Sequence, residues 1–246
     1  YSSKNLTDWK FEGKVLPTVD DDPTSDLHPS QVIERPKVIY NEKTGKFVMW
    51  MHIESPDYEK AHAGVAISDS PTGTFTYLGS FKPNGADSRD QTIFKDDDGK
   101  AYHICSSEWN STLYISLLTA DNTKPSGTYV RRFIGQSREA PAVFKRNGHY
   151  YMLSSGCTGW DPNKAKWAVT DSMLGVWELK YNPCLGRDAD KTFYAQSTYV
   201  LPIEGMQDQF IAMFDRWNKT DLINSRYVWL QVEFDGDRPL IRCADQ

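Results

Sequence analysis

The sequence predicts an all-β chain folded as a five-bladed β-propeller. Three observations point there: a four-strand pattern recurring at roughly fifty residues, no sustained helical period, and a polar residue ahead of each repeat. The first copy reads "KVIYNEKTGKFVMWMH" at 37–52, then "AGVAISDSPTGTFTYLG" at 63–79. The second runs "TIFKDDDGKAYHICSS" at 92–107, then "LYISLLTADNTKPSGTYV" at 113–130. The third is "AVFKRNGHYYMLSS" at 142–155 with "AKWAVTDSMLGVWELK" at 165–180, and a weaker fourth spans 198–217 and 226–240. Each copy sets an apolar strand, a turn rich in Gly, Asp or Asn, an aromatic-rich strand, and two more short strands around a second turn. Four short antiparallel strands at this period make a propeller blade. The opening "YSSKNLTDWKFEGKVL" at 1–16 matches only the outer half of such a unit. The chain therefore reads as one propeller domain over 1–246. Residues 1–33 supply the outer part of a first blade and a linker, and 34–89, 90–138, 139–195 and 196–246 are successive blades. The inner strands of that first blade are expected upstream of Tyr1.

Composition excludes several function classes. With 28 Lys and Arg against 33 Asp and Glu, the net charge is −5, which offers no basic footprint for nucleic acid. Aromatic residues make up 13% of the chain, with 8 Trp and 13 Tyr, which suits packed sheets and stacking against sugar rings. Cys105, Cys157, Cys184 and Cys243 lie far apart with no Cys-x-x-Cys pair, so neither a zinc site nor a dense disulfide framework is indicated. No apolar run approaches the roughly 20 residues of a membrane-spanning helix. The chain begins at Tyr1 rather than Met, so a preceding segment carrying any secretion signal is expected, with a secreted or periplasmic location. The "DDDG" at 96–99 reads as a hairpin turn, and Asp20-Asp21-Asp22 as a solvated loop rather than a calcium site. No metal or cofactor is expected, and the chain is expected to be a monomer.

The first strand of every propeller blade lines the central channel, so residues just ahead of those strands converge at one end of the axis. That position holds Glu34 in "IERPKVIY", Asp90 in "SRDQTIFK", Glu139 in "SREAPAVFK" and Gln196 in "AQSTYVL". Arg35, Arg89 and Arg138 adjoin the three acids and could pair with neighbouring carboxylates. Carboxylates facing one another in a dry pocket cannot all ionise, so one is pushed to a raised pKa while others stay charged. General acid work on a glycosidic oxygen requires that asymmetry. Glu139, flanked by Ala140 and Pro141, has the most apolar neighbours and is the candidate acid, with Asp90 expected to stay ionised. Loops after the inner strands add Tyr58, Glu108 and Asn110 as candidate sugar-binding groups, Thr158 as a hydroxyl donor and Trp160 as a stacking plane. Core packing is the rival reading for Trp160. Asn110-Ser111-Thr112 is also a glycosylation sequon, as are the triplets at Asn5 and Asn218.

At these residues the sequence resembles glycoside hydrolase family 43, and within it the exo-acting galactan 1,3-β-galactosidases. The resemblance runs from "YSSKNLTDW" through "ERPKVIYN", "SRDQT", "SREAPAVFKRNGHYYMLSSGCTGW" and "DADKTFYAQSTYV" to "SRYVWLQVEFDGDRPLIR". It implies a five-bladed propeller, an inverting mechanism, and galactose removal from the non-reducing end of β-1,3-galactan, as in arabinogalactan side chains. By the same resemblance Glu139 looks like the catalytic acid, Asp90 like the carboxylate that tunes its pKa, and Glu34 like a sugar-binding carboxylate. Gln196 matches a glutamine that this branch uses in place of a basic aspartate. A neutral amide binds a proton poorly, so Gln196 is assigned to positioning the attacking water, with Glu34 as the fallback base. An arabinofuranosidase or xylosidase of the same family, or a carbohydrate-binding propeller without turnover, are the alternative readings.

Overall fold

The computed structural model describes residues 1–243. Turn chemistry sets the hairpins. Between β1 (Val32–Asn41) and β2 (Lys46–Glu54), the Asn41 side chain accepts the Thr44 N–H at 3.0 Å, and Gly45 takes the left-handed φ of 67° that closes the turn. Between β9 (Arg138–Arg146) and β10 (His149–Gly156), Asn147 and Gly148 both have positive φ, as a two-residue hairpin requires. The "DDDG" turn joins β5 (Gln91–Lys95) to β6 (Ala101–Ser107), and Asp96 spends its carboxylate on Lys145 at 2.6 Å and on the Tyr150 hydroxyl.

Four sheets result. β3 (His62–Ser68) and β4 (Thr76–Phe81) complete the first, and β7 (Thr112–Leu118) and β8 (Pro125–Arg132) the second. β11 (Lys166–Thr170) and β12 (Glu178–Leu179) complete the third. β14 (Gln196–Pro202), β15 (Phe210–Arg216), β16 (Arg226–Asp235) and β17 (Arg238–Arg242) form the last. Each is an antiparallel meander with its first strand innermost, and β1, β5, β9 and β14 are neighbours in that order. This is a β-propeller.

Two departures from expectation stand out. The described residues give four sheets rather than five. Residues 1–31 form a single bridge, Ser2 with Lys10, instead of outer blade strands, yet they touch both ends of the series. Trp9 meets Trp229 of the last sheet at 5.4 Å, and Val15 accepts the Phe75 N–H of the first at 2.7 Å. Second, β13 (Cys184–Leu185), counted by sequence with the third blade, pairs in parallel with β17 and joins the last sheet. There it covers an edge that would otherwise expose unpaired backbone groups.

Apolar clusters sit between adjacent sheets. Trp50, Val65, Ile93 and Leu118 bind the first to the second; Ile104, Ile115, Met152 and Trp177 the second to the third; and Phe144, Tyr151, Phe210 and Phe214 the third to the last. A sheet covered on both faces needs unbroken apolar strands, and β2, β6 and β10 are buried along nearly their whole length. β15 alternates between buried and half-buried residues, which explains the weaker fourth repeat.

Candidate active site

The polar residues ahead of the inner strands are aimed by β-bulges. Facing β2, β1 carries one extra residue between Glu34 and Lys37; β9 and β14 carry one against β10 and β15, beside Glu139 and after Ser197. Such an insertion bends the strand and re-aims the side chain next to it. In two blades the extra residue is a non-glycine in the left-handed region, Arg35 at φ 54° and Ala140 at φ 53°, followed by Pro36 or Pro141. Proline brings no N–H that the broken ladder would leave unpaired. Strain of about 1–3 kcal/mol per such residue accumulates at functional sites because surrounding structure holds it in place. Asp90 stands one residue before β5, where the backbone carbonyls and amides of Arg89, Asp90 and Ser106 are exchanged at 2.9 Å.

A cavity of about 380 Å³ opens at this end of the axis. Glu34, Asp90, Glu139 and Gln196 all line it, together with Tyr58, Asn110 and Trp160. At its centre is Arg35. Its guanidinium holds Asp90 through two bonds, at 2.9 and 3.3 Å, reaches Asp215 at 3.1 Å and donates to the Gln196 carbonyl oxygen. Charge assistance makes such a bidentate pair strong and directional.

Electrostatics separate the two central carboxyls. Burial and the negative charge of Asp90 raise Glu139 to about 7, while the thiol of Cys157 and the Gln196 amide pull weakly the other way. Burial alone would raise Asp90 too, but Arg35's charge and hydrogen bonds outweigh it and hold that carboxyl below its ordinary value. One acid thus keeps its proton near neutrality beside a permanent anion. Such a pair can donate a proton to a bound leaving group.

A second chain of charges orients Glu34. His52 faces Glu34 through Nδ1 at 3.1 Å and the fully buried Glu54 through Nε2 at 3.2 Å, and the Tyr58 hydroxyl donates to Glu34 at 2.9 Å. Burial works against the imidazolium, but its two carboxylate partners raise His52 to about 8. Arg89 also donates to Glu54 at 3.1 Å and packs over Trp109 at 4.5 Å. Ligand atoms of Glu34, His52 and Asp90 lie within 4.8 Å of one another among the described residues. With both ring nitrogens donating to carboxylates and Arg35 on Asp90, the group fits a bridging imidazolium better than a metal ligand set.

Gln196 is more committed than its assigned task implies. Its Nε2 donates to Glu139 at 3.1 Å and to the Ser155 hydroxyl at 2.7 Å, and its carbonyl oxygen accepts from Arg35. Both amide hydrogens and one of two lone pairs are spent, and no water fits between Gln196 and Glu139.

Two sequence candidates fall outside the cavity. Glu108 turns to Thr112 at 2.7 Å, Tyr114 at 3.0 Å and Arg131 at 2.5 Å, because its own hairpin offers two hydroxyls and a cation. Thr158 donates to the Asp161 carbonyl at 2.6 Å and accepts from Asn163 at 2.7 Å, closing its own loop. Asn110 faces the cavity, with Nδ2 3.7 Å from the free thiol of Cys157. Trp160 is 46% exposed at the rim and meets Trp217 edge-on at 5.6 Å, so it is not core. His52, Asp215 and Trp217 were not singled out by sequence. His52 is the cross-strand partner of Glu34, a signal that exists once the β1 to β2 register is known.

The family model described as glycosyl hydrolases family 43 matches residues 1–197. No curated protein matches the chain in a direct comparison. Solved structures do. A family 43 β-1,3-galactosidase determined with galactodeoxynojirimycin is 43% identical, with a TM-score of 0.95 over 99% of this chain and 84% of its own. A second family 43 β-1,3-galactosidase is 40% identical at a TM-score of 0.95, over 98% of this chain and 52% of its own. An exo-β-1,3-galactanase from Phanerochaete chrysosporium, determined with β-1,3-galactotriose, is 37% identical at 0.88, over 97% and 54%. The chain thus spans most of the first relative and about half the length of the other two. With the propeller, the ring of acids at its axis and a family match over most of its length, this chain belongs to glycosyl hydrolase family 43 and is a glycosidase.

Proposed function

We propose that this glycosidase removes galactose from the non-reducing end of β-1,3-galactan with inversion at the anomeric carbon, Glu139 supplying the proton. The observation that carries the reading is the paired shift at the axis, Glu139 raised to about 7 beside Asp90 held low. Support for the substrate comes from the relatives, determined with galactodeoxynojirimycin, galactose and β-1,3-galactotriose. A cavity of about 380 Å³ lined by Arg35 and the four polar residues has room for a terminal sugar ring.

Inversion needs a water-activating group roughly 6.5 to 9.5 Å from the acid. Gln196 is bonded directly to Glu139, which suits it to holding the acid in place. Glu34 lies one blade beyond Asp90 in the ring and keeps lone pairs free after its bonds to His52 and Tyr58, so the base role passes to it. Proton NMR of the first sugar released from β-1,3-galactan tests the whole scheme. We expect α-galactose, with kcat lowered about 10²- to 10⁴-fold in Glu139→Gln and in Glu34→Gln. Initial release of β-galactose would overturn inversion. Binding of galactan without release by the wild type would assign the chain to the carbohydrate-binding alternative, and preferential release of arabinose or xylose to the other family 43 activities.

A further inference from the structure

A second cavity, of about 450 Å³, adjoins the first and shares Gly159, Trp160, Gln196 and Trp217 with it. The reaction proposed above gives it no task. Its own wall carries three cations, Arg216, Lys219 and Arg226, against one carboxylate, Asp161. Lys219 stands 3.4 Å from Asp161. The two arginines have no carboxylate partner among the described residues. Arg216 spends Nε and one terminal nitrogen on the single carbonyl of Phe193, at 3.1 and 2.6 Å, and Arg226 spends one terminal nitrogen on the carbonyls of Asn224 and Ser225. Each therefore keeps N–H donors free. An excess of two positive charges is concentrated here in a chain whose net charge is −5. Trp160, Trp217 and the 46%-exposed ring of Tyr194 add flat apolar surface of the kind that stacks on a sugar.

We propose that this cavity is a subsite for an anionic sugar substituent, a uronate carboxylate or a sulfate ester, borne on the galactan beside the galactose being removed. The proposal rests on the galactan reading. Guanidinium forks match both carboxylate and sulfate oxygens, and free N–H donors beside aromatic planes recognise an acidic sugar rather than a free ion.

The test compares kcat/KM on β-1,3-galacto-oligosaccharides carrying a glucuronosyl branch, a sulfate ester, a neutral glucosyl branch or nothing. Wild type is expected to favour an anionic substrate over the neutral-branched one by about 3- to 10-fold, as two partly exposed ion pairs allow. That preference should fall to less than half in Lys219→Gln/Arg226→Gln, whose side chains are exposed and which leaves Arg216 alone, and shrink as salt rises from 50 to 500 mM, with turnover of the unbranched substrate unchanged. Preference for glucuronosyl alone assigns a carboxylate site, and equal preference for both assigns a general anion site. Equal rates on anionic and neutral branches, or a preference undiminished in the double variant, would overturn the proposal. If the unbranched substrate itself is not cleaved, the galactan reading fails separately. Calorimetric titration of methyl glucuronoside against methyl glucoside then decides the subsite without catalysis, since equal affinity would refute it.

Discussion

Glu139 and His52 are both raised, one because its neutral form is favoured and the other because its charged form is, and both make stability fall as pH rises, in different pH windows. Burial and Asp90 favour the neutral form of Glu139, so its folded pKa of about 7 lies above the 4.5 of a free carboxyl. In the proposed reaction its protonated form is the active one, so kcat is expected to fall as pH rises through about 7, read from a pH–rate profile. Linkage adds a stability consequence. Wild type loses stability between about pH 4.5 and 7, where the unfolded chain releases a proton that the folded chain retains, and Glu139→Gln removes that loss. The variant should therefore be more stable than wild type at pH 8, by on the order of 1–2 kcal/mol in denaturant unfolding, and equally stable at pH 4. His52 has the same sign at higher pH, although there the cause is carboxylate partners that favour the charged form. The stability it contributes is complete below the free value of 6.5 and lost as pH rises through about 8. Denaturant titrations of His52→Gln should show a smaller fall between pH 6.5 and 8.5 than wild type.

Among the elements, the bulged starts of β1 and β9 do most to create the site. The "ERP" and "EAP" triplets were legible as landmarks, yet the left-handed residue in each, Arg35 and Ala140, gave no local sign of its conformation, since neither is glycine or asparagine. Tertiary contacts impose it. Gln91 donates to the Arg35 carbonyl at 2.6 Å, and Ser197 donates to the Ala140 carbonyl at 2.7 Å, fixing both kinks from the neighbouring blades. A β-branched residue at Ala140 cannot hold φ near 53° without further strain. We expect Ala140→Val to lower stability by about 2 kcal/mol and kcat along with it, while Ala140→Gly preserves both; thermal unfolding and steady-state rates check this. Equal stability of the two variants would show that the kink can relax freely.

At the scale of the whole molecule, stability lies between blades, in layers that contain one costly group. His103 is fully buried in the second blade, stacked on Trp50 of the first at 4.7 Å, and neither ring nitrogen has a partner among the described residues. Burial depresses it to about 3, so the neutral ring is the one that packs. A depressed histidine contributes a stability present above the free value of 6.5 and lost as pH falls toward 3. Acid should therefore loosen the first blade from the second. His103→Leu is expected to raise the melting temperature at pH 5 by more than at pH 8, and a shift of equal size at both would refute the assignment.

The repeat, the sheet class and the ring of Glu34, Asp90, Glu139 and Gln196 were written in the chain, because strand periodicity and turn residues act within a dozen positions and the same offset recurs in every blade. The raised pKa of Glu139 was also foreshadowed by its apolar flanks. What tertiary structure alone decided were the relations between blades. Arg35 proved to be the hub joining Asp90, Asp215 and Gln196, residues up to 180 positions away, and His52 entered through strand register. Glu108 and Thr158 left the site because a hydroxyl or carboxylate bonds to the nearest partner, and only coordinates show which partner is nearest. Long-range electrostatics depends on distances that no local pattern encodes.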